Sequence, residues 1–98
     1  MSDYLVRARA MNDQIRAFAC SSRDIVEYAR AANNMSPTVT AALGRLMTGG
    51  IMMGAMLKDD GDSITLRVSG GGPAGVVIAC TDAHGNVKGC IDHPLVEL

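Results

Sequence analysis

The most constraining feature of this sequence is a long apolar stretch near its middle, residues 36–57. Ser36 is followed by Pro37, a pair that is typical of a helix start, because proline at the first helical position lacks an N–H that would have no partner there. From that point to Leu57 the one charged residue is Arg45. A helix that is apolar around its circumference is buried in a protein core or in a membrane. The sequence therefore predicts a long helix around which the other elements pack.

Large apolar side chains follow one line along this helix, and small residues occupy much of the remaining surface. The large apolar residues are Val39, Leu43, Leu46, Met47, Met53 and Leu57. The alanines and glycines beside them have little or no side chain, so neighbouring elements can approach the helix axis closely. We therefore expect the helix to be covered on several sides.

A membrane-spanning helix is the alternative interpretation of the same stretch. About 20 helical residues are enough to cross a bilayer, and Gly50 and Gly54 have the spacing of packed membrane helices. However, Arg45 would lie near the bilayer centre, where a charge is costly. The stretch also runs directly into an acidic turn, residues 58–62, without an aromatic or basic flank. These features favour a core helix in a protein that does not use a membrane.

The length and charge of the chain limit its partners. A net charge of −1 and an isoelectric point near 6.0 give no electrostatic reason to expect nucleic acid. With 98 residues, the chain has little material to cover an apolar central helix. This shortage indicates either oligomerisation or a fragment of a longer chain, and we predict that another copy of the chain covers part of the helix. The N-terminus lacks the apolar segment of a signal peptide, which predicts a cytoplasmic protein.

The N-terminal residues predict a β-hairpin. Residues 4–10 and 14–20 both alternate between apolar and polar positions and are joined by Asn12 and Asp13. In the first strand Tyr4 and Val6 lie on one face, whereas the arginines lie on the outer face with Leu5 as an apolar exception.

The remaining patterns complete the fold. A helix capped by Ser21 or Ser22 runs to about Ala32, and three further strands are predicted near residues 64–69, 76–81 and 87–92. Strands clustered at both ends of two helices indicate an α+β fold rather than an alternating parallel sheet. We expect antiparallel sheets packed around a central buried helix, in the order β-β-α-α-β-β-β.

The loop from Gly70 to Gly75 could indicate a small ligand- or phosphate-binding domain. A phosphate cradle needs glycines that lead into a helix N-terminus, where N–H groups and the helix dipole converge on the anion. Here the glycines join one predicted strand to the next, and a wide turn accounts for them. Ligand binding by this loop is therefore kept as the alternative function.

Three cysteines, Cys20, Cys80 and Cys90, show neither CxC nor CxxC spacing, so they predict no zinc site and no disulfide scaffold. Cys80 would lie opposite Cys90 or opposite Gly89, depending on the hairpin turn between the last two strands. No neighbouring base activates these thiols, and we expect buried or half-buried side chains. The two histidines stand in loops without a carboxylate cluster, so no enzyme and no metal site are predicted.

Four segments carry a family resemblance: QIRAFAC, SPTVTAALGRLMTGGIMMGAMLK, SITLRVSGGGPAGVVIAC and DAHGNVKGCIDHP. With the elements between them they cover essentially all 98 residues in order. The chain resembles the N-terminal part of the heat shock protein 33 family, the redox-regulated holdase chaperones. Within that resemblance Cys80, Cys90 and His93 look like local substitutions.

The resemblance implies a bacterial cytosolic chaperone that binds unfolding proteins under oxidative stress, prevents their aggregation without ATP and forms homodimers. It also implies that residues 1–98 are the N-terminal part of the chaperone domain, truncated at Leu98. In the family, CxC and CxxC motifs in a separate C-terminal module bind zinc when reduced and form disulfides when oxidised. The cysteines of this chain do not match that module, so no metal or other cofactor is expected here.

A holdase needs apolar surface for its clients, and methionine side chains adapt to irregular partners. Met52 and Met56 of the central helix are therefore the candidate client-binding residues. The competing interpretation is that the helix methionines fill the core and that clients bind elsewhere.

Overall fold

The computed structural model describes residues 3–12 and 14–96. Its elements are β1 (Tyr4–Ala10), β2 (Ile15–Ser21), α1 (Arg23–Asn33), α2 (Pro37–Gly54), β3 (Ser63–Ser69), β4 (Val76–Asp82) and β5 (Val87–Ile91). β1 and β2 form one antiparallel sheet, and β3, β4 and β5 form a second antiparallel sheet in that order. The α+β class and the element order expected from the sequence are confirmed.

The start of α2 agrees with the sequence, but its end does not. The Ser36 hydroxyl accepts the N–H of Val39 at 3.4 Å and donates to the carbonyl of Val96, while Pro37 occupies the first turn. The helix ends at Gly54 rather than at residue 57, because the chain there changes to tighter i→i+3 hydrogen bonds. Met56 therefore lies in a turn after the helix.

The core lies between α2 and the inner face of the β3–β4–β5 sheet. Val39, Leu43 and Met47 project from one side of α2 and are almost fully buried, as are Val77 and Ala79 on β4. This spacing of four residues places the helix side chains on a single face. The packing of that face on the sheet is the main source of burial in the described residues.

Glycines allow this close packing, as the sequence predicts. A Cβ added to Gly89 on β5 would lie 2.7 Å from the sulfur of Met47, and a Cβ added to Gly44 would lie 2.9 Å from Val26 on α1. Both distances are too short for carbon, so each glycine marks a place where α2 meets a neighbouring element. The predicted role of the small residues of α2 is confirmed at Gly44, and Gly89 plays the same role from β5.

The predicted cover of α2 by a sheet is confirmed, and the described residues leave another side of the helix open. One face is buried, but Met53 is exposed, Leu46 and Leu57 are half-buried, and Arg45 is exposed. The cause is that the β3–β4–β5 sheet, α1 and the base of the β1–β2 hairpin together cover only part of the circumference of α2. Cover by a second copy of the chain stays a prediction.

An aspartate that directly precedes β1 caps α1, and neither predicted serine side chain does so. Ser22 occupies the N-cap position, but its hydroxyl shares a hydrogen bond with Thr48 at 2.7 Å. Instead, the Asp3 carboxylate accepts the backbone N–H of Ile25 at 2.8 Å and that of Asp24 at 3.2 Å. Burial raises the pKa of Asp3, but the hydrogen bonds outweigh it and lower the pKa overall. The contact ties the start of β1 to the first turn of α1.

Candidate functional site

The β1–β2 hairpin forms an arm with one apolar face. The register pairs Val6 with Ala19 and Ala10 with Ile15, so the apolar positions of both strands share that face. We define the arm face as Tyr4, Val6, Ala8, Ala10, Ile15, Ala17 and Ala19, all of which are exposed. The arm face is therefore an apolar surface without cover from the described residues.

The orientation of the arm is opposite to what the sequence pattern suggests. Leu5, which is an exception on the predicted outer face, is half-buried, as are Phe18 and Cys20 on the same face. The thiol of Cys20 approaches the carbonyl of Thr48 on α2 at 3.8 Å. Because this face meets the body at the base of the arm, the more regularly apolar face points to solvent.

A groove of about 900 Å³ between α1 and α2 forms a second open surface. Its lining includes Val26, Met35, Ala41, Gly44 and Met52. The closeness of the two helices at Gly44 gives the groove a shallow apolar floor. Met52, one of the two candidate client-binding residues, lines this groove and is half-buried.

Three arginines, Arg23, Arg30 and Arg45, also line the α1–α2 groove. Arg30 donates two hydrogen bonds to the Glu27 carboxylate, one from Nε and one from a terminal nitrogen. These hydrogen bonds raise the pKa of Arg30 and lower the pKa of Glu27. Arg45 is exposed and makes no ion pair with Asp24 or Glu27 in the part of the chain that is described. The charge of Arg45, the one charge in the apolar stretch 36–57, therefore lies at the surface of the protein.

Met56, the other candidate, is exposed at 44% and stands in the turn that follows α2. Met53 is exposed to a similar extent on the last turn of the helix. Neither Met52 nor Met56 is therefore a buried core residue. The structure leaves both in contact with solvent, Met52 in the groove and Met56 on the turn.

The glycine loop does not have the geometry of a phosphate cradle. It joins β3 to β4, and Gly71 and Gly75 adopt φ angles of 75° and 76°, which explains the need for glycine. The carboxylate of Asp92 accepts the N–H of Val76 at 2.9 Å at the end of the loop. A carboxylate at that position repels an anion, so the alternative of a phosphate-binding loop is not favoured.

The predicted environment of two cysteines is wrong. Cys80 and Cys90 are exposed rather than buried, and Cys80 lies opposite Lys88 while Cys90 lies opposite Ile78. Neither of the two predicted registers is correct. The turn consists of three residues, 83–85, and Gly85 adopts a φ angle of 84°. On its two sides the N–H of Asp82 donates to the carbonyl of Asn86, and this pairing places Cys80 opposite Lys88.

The Asp82 carboxylate holds that turn. It accepts the backbone N–H groups of His84 at 2.8 Å and Asn86 at 3.1 Å, and the side-chain amide of Asn86 at 3.0 Å. The amide of Asn86, followed by the N–H of His84, lowers the pKa of Asp82. This network sets the strand register, and a pattern of hydrophobicity contains no signal for it.

The zinc that the family resemblance implies belongs to a separate C-terminal module, and the three cysteines present here lie too far apart in the fold to form such a site. Cys20 lies on the arm, whereas Cys80 and Cys90 lie on the outer face of the other sheet. Within residues 3–12 and 14–96 no group of three or more cysteine, histidine or acidic side chains could hold a metal ion. No helix in the same residues has the length and hydropathy of a membrane span.

The arm face and the α1–α2 groove share one property, which is that both leave apolar side chains open to solvent. The family model described as Hsp33 protein matches residues 3–98. The 33 kDa chaperonin of Lachnoclostridium phytofermentans is 55% identical over all 98 residues, that of Agathobacter rectalis 53% and that of Clostridioides difficile 45%. The chain spans 34% of the length of each of these relatives. The chain belongs to the Hsp33 family.

Proposed function

We propose that this chain contributes to an ATP-independent holdase chaperone that binds apolar segments of unfolding proteins and keeps them from aggregating. The observation that carries the proposal is the arm face, in which seven apolar residues of β1 and β2 are all exposed. Membership of the chain in the Hsp33 family supports the proposal, because relatives in that family are named 33 kDa chaperonin. Action under oxidative stress in the bacterial cytoplasm is the corresponding cellular setting.

The geometry of the arm suits an extended client. A two-stranded sheet has unpaired N–H and C=O groups along both outer edges, and an extended peptide can add to such an edge as a further strand. Apolar client side chains would then cover Val6, Ala8 and their neighbours. Binding of this kind requires no covalent step, so the proposed activity is not enzymatic.

Met52 and Met56 are proposed as a second contact region. Flexible thioether side chains in the α1–α2 groove and on the turn after α2 can adapt to clients of different shape. The arginines of the groove would favour client segments that carry acidic residues beside apolar ones.

We also propose that residues 1–98 form the N-terminal part of the chaperone domain and that the chain forms homodimers. The support for a dimer is the uncovered side of α2, where Ala41, Ala42 and Met53 are exposed. Sedimentation of the chain over a range of concentrations tests this proposal. A single monomeric species at all concentrations would contradict it.

A matched pair of substitutions tests the role of the arm face. Val6 and Val68 are each 50% exposed on a strand, but only Val6 belongs to the arm face. We expect Val6→Glu to raise the amount of chain needed to suppress aggregation of a heat-unfolded client by about tenfold, through lost apolar contact. Val68→Glu should leave suppression nearly unchanged. Equal effects of the two substitutions would overturn the proposal.

A further inference from the structure

Two thiols and two cations share the outer face of the β3–β4–β5 sheet. Cys80 lies directly opposite Lys88, and Cys90 lies in the next cross-strand row, opposite Ile78. Ile78 in turn pairs with Arg67 on β3, so the row of Cys90 also contains a cation. Both cysteines are exposed and free.

The register keeps the two thiols from joining each other. Residues directly opposite in an antiparallel pair have Cβ atoms about 5 Å apart, whereas diagonal neighbours such as Cys80 and Cys90 are roughly 7–8 Å apart. A disulfide requires Cα atoms within about 6.8 Å and Cβ atoms within about 4.5 Å. The folded sheet therefore holds the two sulfurs close, but too far apart for a bond without movement of the backbone.

The charges on this face favour an anionic reagent. Lys88 is exposed beside Cys80 and two residues before Cys90, and Arg67 is exposed on the neighbouring strand. Two carboxylates lie at the ends of the same face, and both are engaged by hydrogen bonds. Asp82 accepts three from the turn, and Asp92, two residues after Cys90, accepts the N–H of Val76. A carboxylate-bearing molecule that reaches either thiol thus meets a cation within the same or the adjacent row.

We infer that this face is a thiol-modification site at which Cys80 and Cys90 each accept one half of an anionic low-molecular-weight disulfide. In each reaction the cysteine thiolate attacks one sulfur of the reagent and forms a new S–S bond. The reagent S–S bond breaks, and the other half leaves as a thiolate with the electron pair, while the cysteine proton goes to solvent. Because the second cysteine cannot reach the mixed disulfide, the modification persists.

Mass spectrometry of the folded chain tests the stoichiometry. With dithiobisnitrobenzoate, a dianionic aromatic disulfide, we expect one adduct on Cys80, one on Cys90 and slower reaction at Cys20. Cys20 serves as an internal control, because burial and the nearby Asp3 carboxylate raise the pKa of its thiol. In denaturant the flexible segment between Cys80 and Cys90 should instead close to an intramolecular disulfide. An intramolecular disulfide in the folded chain would overturn the inference.

Reaction rates test the charge argument. Lys88→Gln should slow modification of Cys80 by dithiobisnitrobenzoate about threefold at low salt, the effect of one unit charge some 6 Å away in water. The same substitution should leave the rate with neutral dithiodipyridine unchanged. Lys58→Gln, at the other lysine of the chain, is the matched control and should slow neither reagent. If Lys88→Gln affects both reagents equally, the cation does not guide the anion.

Discussion

The close packing of α2 leads to opposite predictions for two glycines of the same helix. An alanine Cβ at Gly49 meets no atom within 4 Å. An alanine Cβ at Gly54 would overlap the backbone carbonyl of Asp82 and lie 2.8 Å from the hydroxyl of Thr81. The backbone of β4 cannot rotate away as a flexible side chain would. The overlap at Gly54 therefore requires a shift of the backbone, which lowers the stability of the fold.

The magnitudes follow from two effects. Replacement of glycine by alanine inside a helix stabilises by up to about 1 kcal/mol, and this gain applies fully at Gly49. Overpacking costs roughly 1–3 kcal/mol or more, which exceeds the gain at Gly54. We therefore expect Gly49→Ala to raise the free energy of unfolding by about 0.5–1 kcal/mol and Gly54→Ala to lower it by about 1–2 kcal/mol.

Thermal unfolding followed by circular dichroism measures both changes. A shift of 1 kcal/mol corresponds to about 4–8 °C in Tm for a chain of this size. Gly49→Ala should thus melt several degrees above the unaltered chain, and Gly54→Ala several degrees below it. If Gly54→Ala is as stabilising as Gly49→Ala, α2 does not pack against the end of β4 as described.

Further predictions concern the core, the cap of α1 and the methionines. Leu43→Ala should lower the free energy of unfolding by about 3–5 kcal/mol in urea titrations, because Leu43 is 0% exposed and its removal leaves a cavity. The lowered pKa of Asp3 means that its contribution to stability is present above its ordinary value of 3.8 and is lost as the pH falls towards the lowered value. Asp3→Asn should therefore reduce the loss of stability between pH 5 and pH 3, and an unchanged pH profile would contradict the capping role. Met52→Gln combined with Met56→Gln should weaken aggregation suppression with Tm nearly unchanged, whereas a large fall in Tm would show that these side chains are structural.

Local patterns were enough to predict the element order of this fold. Alternation of apolar residues located the strands, and Ser36 with Pro37 located the start of α2, because these signals depend on neighbours in sequence. The cap of α1 is different. Asp3 reaches Ile25 across more than twenty positions of the chain, and no local pattern distinguishes it from an ordinary surface aspartate.

The candidate site was predicted less completely for the same reason. Alternation identified the two faces of the arm, but which face meets the body depends on how β2 packs on α2, for example where Cys20 approaches Thr48. The environment of Cys80 depended on the hairpin register, which the carboxylate of Asp82 fixes. Tertiary contacts therefore decided both points, and the sequence left them open.

The central claim is that the arm face binds extended apolar polypeptide, and hydrogen–deuterium exchange tests it most directly. The backbone amides of the chain are compared with and without a permanently unfolded client protein. We predict that added protection is strongest along β1 and β2, around Val6 and Ala17, since a client strand would pair with the free edges there. Protection confined to the β3–β4–β5 sheet, with the arm unchanged, would contradict this account.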